Sequence, residues 1–161
     1  MMETVLRQGL SALSLPEEGV PALLRYWELL AEKNQVMNLT AITDPVDAAR
    51  LHFLDSAALP ALEDFRGKRV VDVGTGAGFP GLPLKILEPS IRLTLLDAQR
   101  KRVDFLREVC EDLGLADVEC VHGRAEAFAA DHREGFDIAV SRAVASLPVL
   151  AELCLPLVNV G

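Results

Sequence analysis

The sequence predicts a doubly wound α/β fold, a parallel sheet with flanking helices, preceded by a helical extension. Three observations carry this. From Arg69 onward short apolar runs alternate with segments of helical periodicity; a glycine-dense turn, "DVGTGAGFPG" (72–81), joins the first apolar run to a helix; and the first 68 residues read as helical. Nearly all-apolar strands with helical crossovers imply a parallel sheet covered on both faces, with its site at the carboxyl ends of the strands.

Within the extension, "LPEEGVPALLRYWELLAEKN" opens with Pro16 and two glutamates, favourable in a first turn, and places Val20, Leu23, Leu24, Trp27, Leu30 and Ala31 on one helical face. A second helix is expected after Thr43 or Asp44, with Pro45 at its first position, running through "VDAARLHFLDSAAL". Strands are expected over 69–73, 91–97, 118–122 and 136–141, and helices over 80–87, 99–113 and 125–130, with another from Leu147. The chain then reads as a single domain over 1–161, made of a helical extension (1–68) and a cofactor-binding α/β core (69–161). It stops at "CLPLVNVG", where a fourth crossover would deliver a fifth strand. The carboxyl-terminal strands of the sheet are therefore expected to be missing, with an open edge beside the fourth strand.

Composition narrows the function classes. With half its 161 residues apolar and a quarter charged, the chain is long enough for one real core and is neither disordered nor collagenous. It has no apolar run of membrane-spanning length and no basic-then-apolar amino end, so a cytoplasmic protein without a membrane partner is expected. Cys110, Cys120 and Cys154 are odd in number and dispersed, and form no ligand cluster with His52, His122 and His132. Core cysteines are expected, with neither disulfide nor metal. The net charge of −8, from 24 acids against 16 bases, argues against a general nucleic-acid binder. Any RNA contact must use a local basic patch, and DNA is not an expected partner.

The glycine turn discriminates among nucleotide-type ligands. A dinucleotide fingerprint needs glycine at its first, third and sixth places; Gly74 and Gly76 fit, but Phe79 occupies the sixth, giving a GxGxG turn with Gly78, and Gly81 further on. Pro80 and Pro83 remove N–H donors from the incoming helix where a pyrophosphate would use them, and no GK[ST] follows. S-adenosylmethionine has a sulfonium, an amine and a carboxylate but no phosphate, and it suits a glycine turn preceded by an acid, here Asp72. Asp97 ends the second strand, 23 residues after Gly74, where a carboxylate can accept both ribose hydroxyls or, alternatively, cap the helix that begins near Gln99. The third strand leads into "HGRAEAF", where the Ala125 N–H and the Glu126 carboxylate lie where an adenine would be read; Glu126 would equally suit a helix first turn. The fourth strand ends in "SRAVASL", lacks the Asp/Asn-Pro-Pro-aromatic run of amino-methylating enzymes, and puts Arg142 at the strand's carboxyl end. Arg100, Lys101 and Arg102, with Arg107, form a basic helix stretch beyond Asp97 that is either solvated or an RNA contact.

Taken together, "NLTAITDP" (38–45), "HFLDS" (52–56), "DVGTGAGFPGLPLKI" (72–86), "LLDAQRKRVDFL" (95–106), "GRAEAF" (123–128) and "SRAVASL" (141–147) resemble the RsmG family, also called glucose-inhibited division protein B. The resemblance implies a Rossmann-like class I S-adenosylmethionine-dependent methyltransferase fold. It also implies methyl transfer to N7 of a guanine in bacterial 16S ribosomal RNA, the one conventionally numbered 527. It implies cofactor positions at Gly74, Phe79, Asp97, Ala98, Gln99, Ala125, Glu126 and Arg142. Guanine N7 carries a free in-plane lone pair at neutral pH, so alignment rather than a general base is required, and Arg142 is the expected positioning group. Asn38, His52, Asp55, Ser56, Arg100, Lys101 and Arg102 are further candidates for contact with substrate, although His52 and Asp55 would equally serve as a buried polar pair holding the extension to the sheet. The expected partner is 16S rRNA within the small subunit or its precursor, because an acidic surface suppresses binding to arbitrary RNA. An NAD-dependent oxidoreductase, or an inactive nucleotide-fold interaction module, are the competing readings.

Overall fold

A computed structural model describes residues 1–131 and 135–141. The apolar runs pair as one parallel sheet in the order β3-β2-β1-β4, with β1 at Arg69–Val73, β2 at Arg92–Asp97, β3 at Val118–His122 and β4 at Ile138–Val140. The chain steps outward from β1 through β2 to β3 and then returns to the opposite side of β1. The turn after β1 therefore opens at the point where strand order reverses, the place such sheets use for ligands. Alternation along the strands sorts their side chains into two layers: Val70, Leu93 and Leu95 join one cluster, and Val71, Val73 and Leu96 the other.

The larger layer is shared by the sheet and the extension. Helix α1 (Met2–Ala12) buries Met2, Leu6 and Leu10, one residue per turn on a single face. Helix α2 (Val20–Met37) buries Val20, Leu23, Tyr26, Trp27 and Leu30. Leu24 and Ala31, expected on the same face, are only half-buried, because the stripe is rotated toward Tyr26. This helix begins at Val20 rather than Pro16: Gly19 is its cap and Pro21 sits in the first turn, where a missing N–H costs nothing. It ends at Asn38 in the left-handed region (φ 52°), which asparagine tolerates better than most residues.

The next helix begins as expected. The Asp44 carboxylate accepts the Asp47 N–H (2.9 Å) and Pro45 takes the first position of α3 (Pro45–Ala48). The helix widens into a π-turn over Ala49–Leu54 and resumes as α4 (Asp55–Ala57). Helices α5 (Gly81–Leu87) and α6 (Arg100–Leu113) complete this layer, bringing Leu82, Leu84, Phe105 and Leu106 against Tyr26 and Phe53 in one core. At its rim Arg25 of α2 donates through two nitrogens to the Asp112 carboxylate of α6, both at 3.0 Å, and these bonds hold that carboxyl below the usual range. Helix α7 (Ala125–Asp131) covers the other layer, where Phe128 stacks on Phe136 above Val71, Val73 and Leu96.

Helix α5 buries a lysine among leucines. The ammonium of Lys85 donates to the carbonyls of Pro89 (2.6 Å) and Ile91 (2.5 Å), tying the helix to the turn that enters β2, and burial lowers its pKa. Cys110 and Cys120 are free thiols that pack against the core, and the hydrogen bond between them, with burial, raises the pKa of Cys110. Among the described residues no helix is long and apolar enough to cross a membrane, and no group of side chains could hold a metal ion. The expected helix from Leu147, any fifth strand, His132 and Cys154 lie outside the described residues.

Candidate cofactor site

Hydrogen bonds from both ends shape the turn after β1. The N–H groups of Gly74 and Thr75 both donate to the carbonyl of Leu96 (2.8 and 3.1 Å), fixing the start of the turn to β2. Gly74, Gly76 and Gly78 all take positive φ (67°, 60° and 108°), so the chain curls where L-residues with a side chain are strained. The Gly78 N–H closes the curl on the carbonyl of Thr75 (3.0 Å).

Asp72 is the acid expected to contribute to the cofactor site, and it stands at the base of the turn. Its carboxylate is fully buried, and Oδ2 accepts the Thr75 hydroxyl (2.8 Å) and the Gly81 N–H (2.9 Å). It bolts the turn to the first residue of α5. Thr75, three residues downstream, is the partner that the sequence reading missed. Gly78 likewise serves packing, since a Cβ there would strike the Tyr26 hydroxyl and Leu82. The Phe79 side chain is buried among Tyr26, His52 and Phe53. Gly76 is different. A Cβ built on it would meet nothing within 4 Å, so its bare side borders open space.

Asp97 is where these elements converge. It is buried at the carboxyl end of β2, Oδ2 accepting the Gly76 N–H (2.9 Å) and Oδ1 the Gln99 N–H (2.9 Å). Each oxygen keeps a second lone pair, so the carboxylate can still accept two hydroxyls. Asp97 is not itself the cap of α6: Gln99 holds the N-cap position, with no side-chain capping bond, and Asp97 accepts the N–H of that residue. Arg102 approaches Oδ2 at 3.8 Å. The end of β3 is drawn to the same place, as the Gly123 N–H donates to the carbonyl of Asp97 (3.0 Å) and His122 Nε2 lies 3.1 Å from the carbonyl of Ala98. Ala98, Gln99 and Glu126 are exposed and Ala125 is half-buried at these strand ends. The structure thus brings together Gly74, Gly76, Asp97 to Gln99 and the start of α7.

Arg142 lies outside the described residues. Its neighbour Ser141 donates its hydroxyl to the carbonyl of Val73 (2.8 Å), which ties the end of β4 to the start of the glycine turn. Arg100 and Lys101 are exposed at the start of α6, and Arg124 is exposed at the start of α7. Of the candidates in the extension, Asn38 and Asp55 are exposed, whereas His52 and Ser56 are buried. The Ser56 hydroxyl is engaged locally, donating to the carbonyl of His52 (2.7 Å). His52 shares a 2.8 Å hydrogen bond with Thr40 Oγ1, not with Asp55.

These residues fit S-adenosylmethionine. A buried carboxylate with spare acceptor capacity stands beside a glycine whose missing side chain leaves room, and the adjoining helix starts with Pro80 and Pro83 rather than free phosphate donors. Comparison with known proteins agrees. The model of the family described as rRNA small subunit methyltransferase G matches residues 20–161. A ribosomal RNA small subunit methyltransferase G from Alkaliphilus metalliredigens is 49% identical over 162 residues, covering 98% of this chain and 68% of that protein. One from Staphylococcus epidermidis is 50% identical over 139 residues, covering 85% of this chain and 58% of that protein. The chain thus spans roughly two thirds of the length of such relatives. Two solved structures share the fold: an O-methyltransferase from Bacillus cereus (TM-score 0.64, 24% identity, 100% of this chain and 72% of that one) and a SAM-dependent methyltransferase from Aquifex aeolicus (TM-score 0.54, 23% identity, 72% and 63%). The chain has the Rossmann-like fold of S-adenosylmethionine-dependent methyltransferases and belongs to the rRNA small subunit methyltransferase G family.

Proposed function

We propose that this chain methylates small-subunit ribosomal RNA with S-adenosylmethionine as donor, at N7 of a guanine in 16S rRNA. The observation that carries the reading is Asp97, whose buried carboxylate bridges the Gly76 and Gln99 N–H groups and still has lone pairs for a ribose diol. When bound, the cofactor supplies a methyl group on an electrophilic sulfonium. The protein's part is alignment: Asp97 would hold the sugar, the open side of Gly76 would leave room beside it, and the Ala125–Glu126 segment would meet the base. Guanine N7 needs no proton removed, and holding the reactants in line contributes on the order of 7–11 kcal/mol. Arg142, next in sequence after Ser141, is the group we assign to positioning.

The same end of the sheet carries the exposed cations Arg100, Lys101 and Arg124, which supports approach of RNA there despite the net charge of −8. Acidic surface elsewhere suits a structured target such as the small subunit or its precursor. The test incubates the protein with labelled S-adenosylmethionine and small subunits from a strain lacking the modification, then maps the methylated base. Label at one 16S guanine, lost on reverse of positive charge at Arg142, is the expected result. Binding of NADH in place of S-adenosylhomocysteine would overturn the reading.

A further inference from the structure

We propose that His52 is a positioning residue for the cofactor turn, a role that rests on the reading of that turn as the cofactor's seat. The first half of the turn is fixed by β2 and Asp72, but its outer half, Ala77 to Phe79, follows Gly74 and Gly76 and contains Gly78, three glycines at positive φ and each conformationally soft. What holds the outer half is aromatic. The Tyr26 hydroxyl donates to the carbonyl of Ala77, and the Phe79 ring is enclosed by Tyr26 (centroids 5.4 Å apart, planes at 24°), Phe53 (5.3 Å, 77°) and His52. Of the three, His52 is nearest and most parallel, at 4.3 Å and 7°.

The imidazole is itself oriented. It projects from the π-turn Ala49–Leu54, a widening that recurs at functional sites, and the Ser56 hydroxyl donates to the His52 carbonyl there. Its Nε2 shares the 2.8 Å hydrogen bond with Thr40 Oγ1, which also accepts the Ile42 N–H (3.1 Å), while the Thr40 N–H donates to Asn34 Oδ1 (2.8 Å). A residue that merely filled space against Phe79 would need no polar edge. The chain Asn34–Thr40–His52–Phe79 instead fixes the angle at which a flat ring meets the turn, and through Phe79 it sets the backbone that follows Gly76.

The test uses His52→Ala, His52→Phe and Thr40→Val in the full chain, with S-adenosylhomocysteine affinity by calorimetry and thermal unfolding measured for each. His52→Ala is expected to weaken binding about tenfold, the scale of one lost aromatic pair. His52→Phe, which keeps the stack, should recover most of that loss, and Thr40→Val, which frees the ring without touching Phe79, should weaken binding severalfold. Should His52→Ala fail to fold, the order wild type, His52→Phe, Thr40→Val in affinity decides the matter. Variants that melt earlier yet bind like the wild type would overturn the proposal and leave His52 as wall. Failure of the wild type to bind the ligand would overturn the cofactor reading itself, a distinct result.

Discussion

One alanine substitution, placed at two glycines five residues apart, separates the packing role of the turn from its ligand-facing role. At Gly81 a Cβ would lie 2.8 Å from Asp72 Oδ2 and 2.8 Å from Leu95 Cδ2, with Asp72 Cβ at 3.1 Å. The carboxylate it meets is the one that accepts the Gly81 N–H, so relief means breaking that 2.9 Å bond or moving β2. A hydrogen bond to a buried charge contributes about 1.5–3 kcal/mol, and overpacking costs about 1–3 kcal/mol more. Gly81→Ala should therefore lose about 2.5–6 kcal/mol, which in a chain of this length lowers the unfolding temperature by roughly 5–24 °C. At Gly76 the Cβ meets nothing, and the cost is the left-handed backbone alone, about 1–2 kcal/mol before the stiffer unfolded chain returns part of it. Its methyl would, however, stand in the space beside Asp97. Gly76→Ala should stay within a few degrees of the wild type, about 2–6 °C, yet bind S-adenosylhomocysteine far more weakly. Scanning calorimetry and titration of both variants check this. Unfolding of Gly81→Ala within about 2 °C of the wild type, or a larger loss at Gly76, would refute the argument.

Asp97→Asn keeps the shape but turns an NH2 toward either the Gly76 or the Gln99 N–H, replacing an acceptor by a donor; S-adenosylhomocysteine affinity should fall about ten- to a hundredfold, measured by calorimetry. Lys85 should make stability depend on alkaline pH. Burial lowers its folded pKa below 10.5, so between the folded value and 10.5 the unfolded chain holds a proton that the folded chain has lost, and stability rises with pH across that window. Urea midpoints of the wild type should gain on those of Lys85→Met as pH is raised toward 10.5; a gap independent of pH would count against a buried, destabilised ammonium.

The sheet was legible because its signals are local. "RVVDV" and "VECVH" form β1 and β3 over the expected residues: β1 is a short apolar run buried in the sheet and ended by the glycine turn, and β3, half-buried at the sheet edge, alternates half-buried Val118 and Cys120 with exposed Glu119. The fourth strand is shorter than expected, and just before it Asp137 joins Arg69 twice, its N–H donating to the Arg69 carbonyl and its carboxylate accepting from the Arg69 N–H and guanidinium. Asp97 was also readable, being fixed by its place at a strand end. The local partners of Asp72, Phe79 and Ser56 were not legible, for the opposite reason. Which way a side chain leaves a glycine turn depends on the signs of successive φ angles, and a helix widened into a π-turn shifts its buried face, neither of which is written in residue spacing. Lys85 gave no signal beyond being the lone base in "GLPLKIL".

The aromatic enclosure of Phe79 also bears on modularity. Tyr26 and Phe53 belong to the first 68 residues, and Leu82 and Leu106 to the sheet's own helices, yet they occupy one continuous core. A version cut to begin at Arg69 would expose that apolar surface and release the outer half of the turn at once. Transplanting the sheet onto another helical front end would succeed only if the new partner supplied a hydroxyl for the Ala77 carbonyl and a flat ring for Phe79. Swapping the front end thus amounts to rebuilding one wall of the proposed cofactor pocket.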